Sequence, residues 1–231
     1  MGQRVIRFGL KPFGVLRCHM PRMEIKTIKR TVPILFLVAS TASLVAAPIS
    51  FNFKDPKGVN TVIFKTDAPL ESINGTANGI SGTVTFDPAS PGDVKGKLIV
   101  AASSLHVPNP TMKEHLQGDG WLDVKKHPEI TFEVVSAKNA KTDGNVTILD
   151  VTGNMTIKGV TKSVTVPVKL TYLKDKLKAR GGSNKDGDLL VLRASFVIKR
   201  SDYGINTAKF EEKVSNEIEL TFSLAGFAPH P

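Results

Sequence analysis

The chain has 231 residues, 41% of them hydrophobic, and a formal net charge of +10. Residues 1–47 hold eight of its 31 basic and one of its 21 acidic residues, which leaves 23 basic and 20 acidic residues, a net charge of +3, in the rest. So small a charge removes the main support for a nucleic-acid-binding protein. Because the only cysteine is Cys18, residues 48–231 can form neither a disulfide nor a thiolate site.

The segment 23–47 predicts a secretory signal peptide. Residues 26–30 are rich in basic side chains, residues 32–46 are largely apolar, and two alanines end the segment. The apolar run is too short for a confident membrane-spanning helix. Residues 1–22 are interpreted as an over-extended start, which leaves 48–231 as the domain. The pattern predicts export, to the periplasm if the host is a Gram-negative bacterium.

The sequence of the domain predicts many short antiparallel strands. Apolar residues recur with a period of two, and clusters of Gly, Pro, Asn and Asp separate the alternating segments, with no βαβ rhythm. The alternating segments are residues 62–64, 84–86, 98–100, 132–134, 155–157, 166–168, 192–198 and 218–224. A sandwich and a barrel both bury one face of each strand, so the pattern by itself leaves both architectures open.

A short helix is predicted over residues 111–117. Thr111 is placed as its N-cap, Glu114 completes a capping box, and Gly118 ends the helix. Trp121, with Leu122 beside it, is expected to pack as a plug under this helix.

A hairpin is predicted around residues 158–161. The alternation of Met155 and Ile157 resumes after the loop at Val164, and Gly159 supplies the turn geometry at little steric cost.

In their order and spacing, several short motifs resemble the YceI-like family of secreted lipid-binding proteins. The motifs are Phe86-Asp87-Pro88, Ser104-Leu105, His115-Leu116, Trp121-Leu122-Asp123, Pro128 with Ile130-Thr131-Phe132, Gly153 with residues 155–162, and residues 200–205. The resemblance covers about residues 51–227. This chain has Met112 and Lys113 where many members carry an Arg-Asp pair.

The resemblance implies an all-β fold, an eight-stranded antiparallel, lipocalin-like β-barrel with a short helix near one opening. Such a barrel is about large enough to hold one small or elongated ligand. Inward apolar side chains would then line a tunnel, although a plain core would use the same residue types. The candidate ligand-binding residues are Phe64, Phe86, Val100, Phe132, Val134, Met155, Phe196, Ile198, Phe222 and, on the helix, His115.

No catalytic or metal-binding motif is recognisable. The domain's histidines, His106, His115, His127 and His230, lack the i,i+2 and i,i+4 spacings of local metal sites, and no nucleophile elbow or phosphate-binding loop occurs. We therefore predict no cofactor, no metal and no enzymatic activity.

Two charged features are assigned local roles. Arg200 and Asp202 are expected to form an ion pair that locks a strand end against the barrel rim. The basic run 174–180 is interpreted as a solvated loop, with peripheral membrane contact as the alternative.

The predicted function is carriage of a polyisoprenoid, an isoprenoid quinone or a related long-chain lipid inside the barrel. Burial contributes about 0.8 kcal/mol per methylene group, so a long chain is a strong ligand without covalent chemistry. The alternatives are a structural or stress-related barrel without lipid, and an enzyme acting on a small apolar substrate. An outer-membrane barrel is disfavoured because aromatic residues make up only 6% of the chain. A homodimer is compatible with the sequence.

Overall fold

The computed structural model describes residues 47–181, 183–206 and 209–231. The predicted over-extended start (1–22) and all but the last residue of the predicted signal peptide (23–47) lie outside the described residues. Both therefore stay predictions.

Eleven strands and two short helices form within the described residues. The strands are β1 (Ile49–Asn52), β2 (Thr61–Asp67), β3 (Ser72–Ala77), β4 (Ile80–Phe86), β5 (Lys95–Ala101), β6 (Leu105–His106), β7 (Glu129–Asp143), β8 (Val146–Ile157), β9 (Val160–Leu173), β10 (Gly187–Lys199) and β11 (Glu217–Pro229). The helices are α1 (Pro110–Gln117) and α2 (Leu177–Arg180), and short 3₁₀ segments lie at Ala102–Ser104 and Arg200–Tyr203.

Eight antiparallel strands close into a barrel in the order β1, β4, β5, β7, β8, β9, β10, β11 and back to β1. The closing pair joins Asn52 of β1 to Phe227 of β11. The predicted all-β, eight-stranded barrel is confirmed, and seven of the eight predicted segments lie in the closed ring. The remaining segment, residues 62–64, belongs to β2 outside the ring. Its place is taken by β1, whose four residues are too few to show a clear period.

Strand β11 changes partner along its length. Its C-terminal half meets β1, whereas residues 219–223 pair with β2, which in turn pairs with β3. Asn60 fixes the point of change: its side-chain amide donates to the carbonyls of Phe53 (3.0 Å) and Ala225 (3.1 Å) and accepts from the amide of Ala225 (2.8 Å). The β2–β3 ribbon is thereby anchored to the barrel wall.

The N-cap of helix α1 lies two residues earlier than predicted. Asn109 is its N-cap, because its side-chain oxygen accepts a hydrogen bond from the amide of Met112 at 3.1 Å. Pro110 occupies the first helical position, where its missing N–H has no cost. Thr111 therefore lies inside the first turn, and the predicted capping box with Glu114 is wrong.

The hairpin between β8 and β9 is confirmed. Ile157 pairs with Val160, so only Lys158 and Gly159 form the turn. Both have positive φ, 48° and 76°, as a type I′ turn requires. Glycine adopts this backbone conformation without a side-chain clash.

The barrel interior has a packed half and a hollow half. In the packed half, the rings of Phe51 and Phe86 lie 6.3 and 6.4 Å from the ring of Tyr172. Other fully buried side chains of this half are Phe53, Leu149, Leu170, Leu190 and Leu224. Along β11 the inward face passes from Leu224 in the packed half to Phe222 at the cavity wall. The cavity described below lies in the other half.

A partly buried ion pair joins the loop after β1 to α2, so the prediction that residues 174–180 form a solvated loop is wrong for Leu177–Arg180. The guanidinium of Arg180 donates to both carboxylate oxygens of Asp55, at 3.0 and 2.8 Å, and the amides of Lys57, Val59 and Asn60 donate to the same carboxylate. Burial alone would raise the pKa of Asp55, but Arg180 and these amides outweigh it and hold the pKa well below its usual range.

Candidate functional site

A cavity of about 610 Å³ occupies the barrel half next to α1. Side chains of β2, β3, β5, β6, β7, β8, β10 and β11 form its walls, and residues of α1 and of the segments 200–206 and 209–214, together called the covering loop, cover it. Its volume lies within the range of roughly 300–1,000 Å³ that is usual for small-molecule sites. Phe210 borders the cavity and is 58% exposed, so the cavity reaches the surface at this loop.

Six of the ten candidate residues border this cavity. They are Phe64, Val100, Met155, Ile198, Phe222 and His115. The first five come from five different strands: Val100, Met155, Ile198 and Phe222 belong to strands of the closed ring, and Phe64 belongs to β2, which pairs with β11 outside the ring. His115 reaches the cavity from α1 and is itself exposed. Whether these residues contact a lipid stays a prediction.

Phe132 and Val134, on β7, lie outside the cavity lining. Gly153 of β8 pairs with Val134, and the ring of Phe132 lies against the backbone of this glycine. A Cβ atom at Gly153 would stand 2.5 Å from Phe132 Cζ. The ring therefore fills the space that the missing side chain leaves, which alternation alone does not reveal.

Phe86 and Phe196 also lie outside the cavity lining. Phe86 is fully buried in the packed half, beside Tyr172. Phe196 stacks on Phe222, with ring centroids 5.6 Å apart and an angle of 14° between the rings. Of this stacked pair, only Phe222 borders the cavity. The sequence prediction placed the ligand along the whole interior, whereas the cavity ends near these residues.

Leu122 belongs to the buried core and Trp121 packs against it, and both border the cavity together with residues of α1. The ring of Trp121 stacks on Phe210, with centroids 6.4 Å apart, and the guanidinium carbon of Arg200 lies 5.8 Å from the centre of the Trp121 ring. The side chain of Gln117 holds α1 in place by donating to two backbone carbonyls ahead of the helix, each at 3.1 Å.

Arg200 organises the loop that covers the cavity. Its side chain is buried, with the residue 2% exposed, and its guanidinium donates to five backbone carbonyls. The acceptors are the carbonyl oxygens of Ile205, Asn206, Lys209, Val214 and Ser215. Burial lowers the pKa of Arg200, and the negative charge of Glu211 opposes this shift. The carbonyls compensate the buried charge by hydrogen bonding.

The predicted Arg200–Asp202 ion pair is wrong. Within the described residues, the ion pairs closer than 4.0 Å do not include one between these side chains. The sequence does not show which backbone carbonyls a side chain can reach, so the nearby acidic residue was the expected partner. The rim is locked by the loop's own backbone instead.

Several cavity residues were missing from the sequence-based candidates. Ile205, Phe210 and Val214 come from an irregular loop, where no period of two or 3.6 marks a buried face. The motif Arg200 to Ile205 was the only indication that this loop belongs with the cavity.

A polar cluster lies at the packed end. The buried carboxylate of Asp188 accepts hydrogen bonds from the hydroxyl of Tyr172 (2.7 Å), the amide of Asp175 (2.9 Å) and the ring of His230 (3.2 Å). Burial opposes ionisation of Asp188, but these hydrogen bonds lower its pKa, and burial raises that of Tyr172. Asp175, Asp188 and His230 could each offer one metal ligand, within 4.8 Å of one another. Because Asp188 already has three protein partners, we assign the cluster a structural role.

The fold and the cavity together define a lipocalin-like barrel, closed by eight strands and hollow at one end. Within the described residues, no helix is long and apolar enough to cross a membrane. A sequence model of the YceI-like domain matches residues 48–225, and the chain belongs to this family.

Relatives of known sequence and structure agree with this assignment. A UPF0312 protein of Pseudomonas aeruginosa and Protein YceI of Salmonella newport are each 32% identical over 152 residues, which is 66% of this chain and 72% of the relative. BcnA of Burkholderia cenocepacia has 26% identity and a TM-score of 0.58, covering 72% of this chain and 95% of BcnA. A polyisoprenoid-binding domain from Saccharophagus degradans, implicated in plant cell wall breakdown, has 12% identity and a TM-score of 0.56, covering 79% of this chain and 100% of that domain. This last likeness shows the fold alone.

Proposed function

We propose that the protein carries a long-chain polyisoprenoid, isoprenoid quinone or related lipid, part of which is buried in the cavity next to α1. The observation that carries this proposal is an apolar cavity of about 610 Å³ that reaches the surface at one end. Each methylene group removed from water contributes about 0.8 kcal/mol, so binding needs no covalent bond and no cofactor. The polyisoprenoid-binding domain of Saccharophagus degradans, with the same fold, supports this class of ligand.

The packed half of the barrel gives the ligand one way in and out. Phe51, Phe53 and Phe86 fill the interior beyond the cavity, so a chain that enters beside α1 cannot pass through the barrel. A chain longer than the cavity extends out through the opening near Phe210. Affinity should therefore rise with chain length and then level off once the cavity is full.

We place the carrier in the periplasm, supported by the predicted signal peptide at residues 23–47. In that compartment, a barrel that shields an apolar chain from water would move lipid between membranes or store it. The proposed role is non-catalytic.

Mass spectrometry under native conditions, after purification from the native host, tests the ligand class. We expect a co-purifying chain of isoprenoid or acyl type, with a mass that organic extraction confirms. Recovery of the protein without any such ligand, together with no uptake of isoprenoid, quinone or fatty-acyl probes, would refute the carrier role in favour of a structural one.

A matched pair of substitutions tests the location. Ile198 of β10 borders the cavity, whereas its neighbour Val197 is 53% exposed on the outer face. Ile198→Trp should narrow the cavity and weaken probe binding at least tenfold, and Val197→Trp should leave binding unchanged. Equal binding by both folded variants would show that the lipid binds elsewhere.

A further inference from the structure

The buried hydroxyl of Thr66 is a polar group on the cavity wall whose hydrogen-bonding capacity is unused. Thr66 lies on β2, pairs with Ile73 of β3, and is 5% exposed. Both residues border the cavity. Thr66 Oγ1 is fully buried and has no hydrogen-bond partner among the described residues. Buried hydroxyls without partners are uncommon because they lose their bonds to water and gain nothing in return.

The other polar residues of the described lining do not share this property. Arg200 is buried as well, but each of its guanidinium nitrogens already donates to backbone carbonyls. Glu71 is half-buried, and the rest are exposed to water at the rim. These exposed residues are Asn109, Thr111, His115 and Lys213. Thr66 therefore contributes a buried hydroxyl without a partner to this lining, and because the residue borders the cavity, a rotation about its Cα–Cβ bond would turn that hydroxyl toward a ligand.

The position of Thr66 also sets the orientation of a bound molecule. It follows the last paired residue between β2 and β11, Lys65 with Glu219, at the end where β11 emerges from the covering loop. The amide of Leu70 in the β2–β3 turn donates to the carbonyl of Glu212 in that loop at 2.8 Å. A group bonded to Thr66 would therefore sit near the covering loop, with its chain running along the inward face of β11 toward Phe222.

We propose that the Thr66 hydroxyl recognises an uncharged oxygen-bearing group, an alcohol or a carbonyl, on the lipid that the cavity holds. This inference rests on the proposed function. A hydroxyl both donates and accepts, so either group satisfies it. A charged group is disfavoured because Thr66 is neutral, the donors of Arg200 are occupied, and an unpaired buried charge is far more costly than a buried hydroxyl.

Binding of matched C20 probes to three proteins tests the inference. The probes are geranylgeraniol, its aldehyde, its monophosphate and the hydrocarbon with the same chain but no oxygen. The proteins are wild type, Thr66→Val, which keeps the shape but removes the hydroxyl, and Thr66→Ser, which keeps the hydroxyl. Trp121 is the only tryptophan and borders the cavity, so its fluorescence reports occupancy.

We expect Thr66→Val to weaken the alcohol and the aldehyde about five- to tenfold, the usual worth of one net hydrogen bond. Hydrocarbon binding should stay within twofold of wild type, and Thr66→Ser should retain most of the affinity for the alcohol. Thr66→Val should also melt at the wild-type temperature or above it, because the substitution removes an unpaired buried hydroxyl.

Distinct results separate the failure of this inference from that of the carrier role. If Thr66→Val changes no affinity, or weakens the binding of hydrocarbon and alcohol equally, the cavity binds lipid but Thr66 does not recognise the oxygen of the ligand. Tighter binding of the monophosphate than of the alcohol to wild type would overturn the assignment of an uncharged group. If wild type binds none of the four probes, the carrier role itself is wrong, and this inference fails with it.

Discussion

Replacing Arg200 with methionine should detach the covering loop from the barrel. Arg200 is the common donor to five carbonyls between Ile205 and Ser215, and its side chain lies against Trp121. Methionine has a similar length but no donor, so Arg200→Met leaves all five acceptors without this partner.

The expected loss follows from that set of hydrogen bonds. At about 1 kcal/mol net for each, a conservative value for a charged donor, five hydrogen bonds give about 5 kcal/mol. Two effects reduce it: the loop carbonyls can turn to water, and the desolvation cost of the buried guanidinium disappears. We therefore expect the free energy of unfolding to fall by about 2–4 kcal/mol, with faster exchange of the loop amides.

Urea unfolding followed by Trp121 fluorescence measures the stability, and hydrogen exchange measures loop opening. The amides of Ile205 and Val214, which bond to carbonyls within this region, should lose protection. Lys199→Met, at the exposed neighbouring position, is the control and should change the stability by less than about 0.5 kcal/mol. If Arg200→Met stays within about 1 kcal/mol of wild type and these amides exchange at the wild-type rate, the assigned role of Arg200 is refuted.

Three further predictions concern stability, each measured by urea unfolding. Because the pKa of Asp55 is lowered in the folded protein, the contribution of its carboxylate to stability is present above about pH 4 and is lost as the pH falls further. Asp55→Asn should lower the free energy of unfolding by about 2–4 kcal/mol at pH 7 and make it depend less on pH in the acid range. An unchanged dependence on acid pH would contradict this prediction. Gly153→Ala should lower the free energy of unfolding by about 1–3 kcal/mol, because the new Cβ would stand 2.5 Å from Phe132 Cζ. The control Gly120→Ala, where no atom lies within 4 Å of the new Cβ, should be nearly neutral, and equal effects of the two substitutions would contradict the packing argument. Asn60→Ala removes three hydrogen bonds between the ribbon and the barrel and should cost about 2–3 kcal/mol, and a loss below about 0.5 kcal/mol would show that the change of partner along β11 has another cause.

Local sequence patterns were sufficient for eight of the eleven strands, the hairpin turn and the approximate position of the short helix, but β1, β3 and β6 were not among the predicted segments. The β8–β9 hairpin needed only the alternation on either side and a glycine at position 159, because both are properties of neighbouring residues. The N-cap was misplaced by two residues because Asn109 and Thr111 are both good N-caps, and only the bond to Met112 distinguishes them.

These local patterns could not predict how far the cavity extends inside the barrel. Phe64, Phe132 and Phe196 occupy equivalent inward positions in the alternation, yet only Phe64 borders the cavity. Alternation identifies the face of a strand that leaves water. Whether that face meets a ring, a backbone or an open space depends on side chains from other strands.

The sequence by itself determined the fold class, the family and the apolar character of the barrel interior, because period, turn chemistry and motif order are carried by residues close together in the chain. Only the tertiary structure decided that one half of the interior is packed, that Arg200 bonds to backbone rather than to Asp202, and that the hydroxyl of Thr66 is buried without a partner. Each of these depends on groups from distant segments that meet at a few ångströms. Hydrogen bonds and packing contacts form only between groups that are a few ångströms apart in space, and the separation of two residues along the chain does not give that distance.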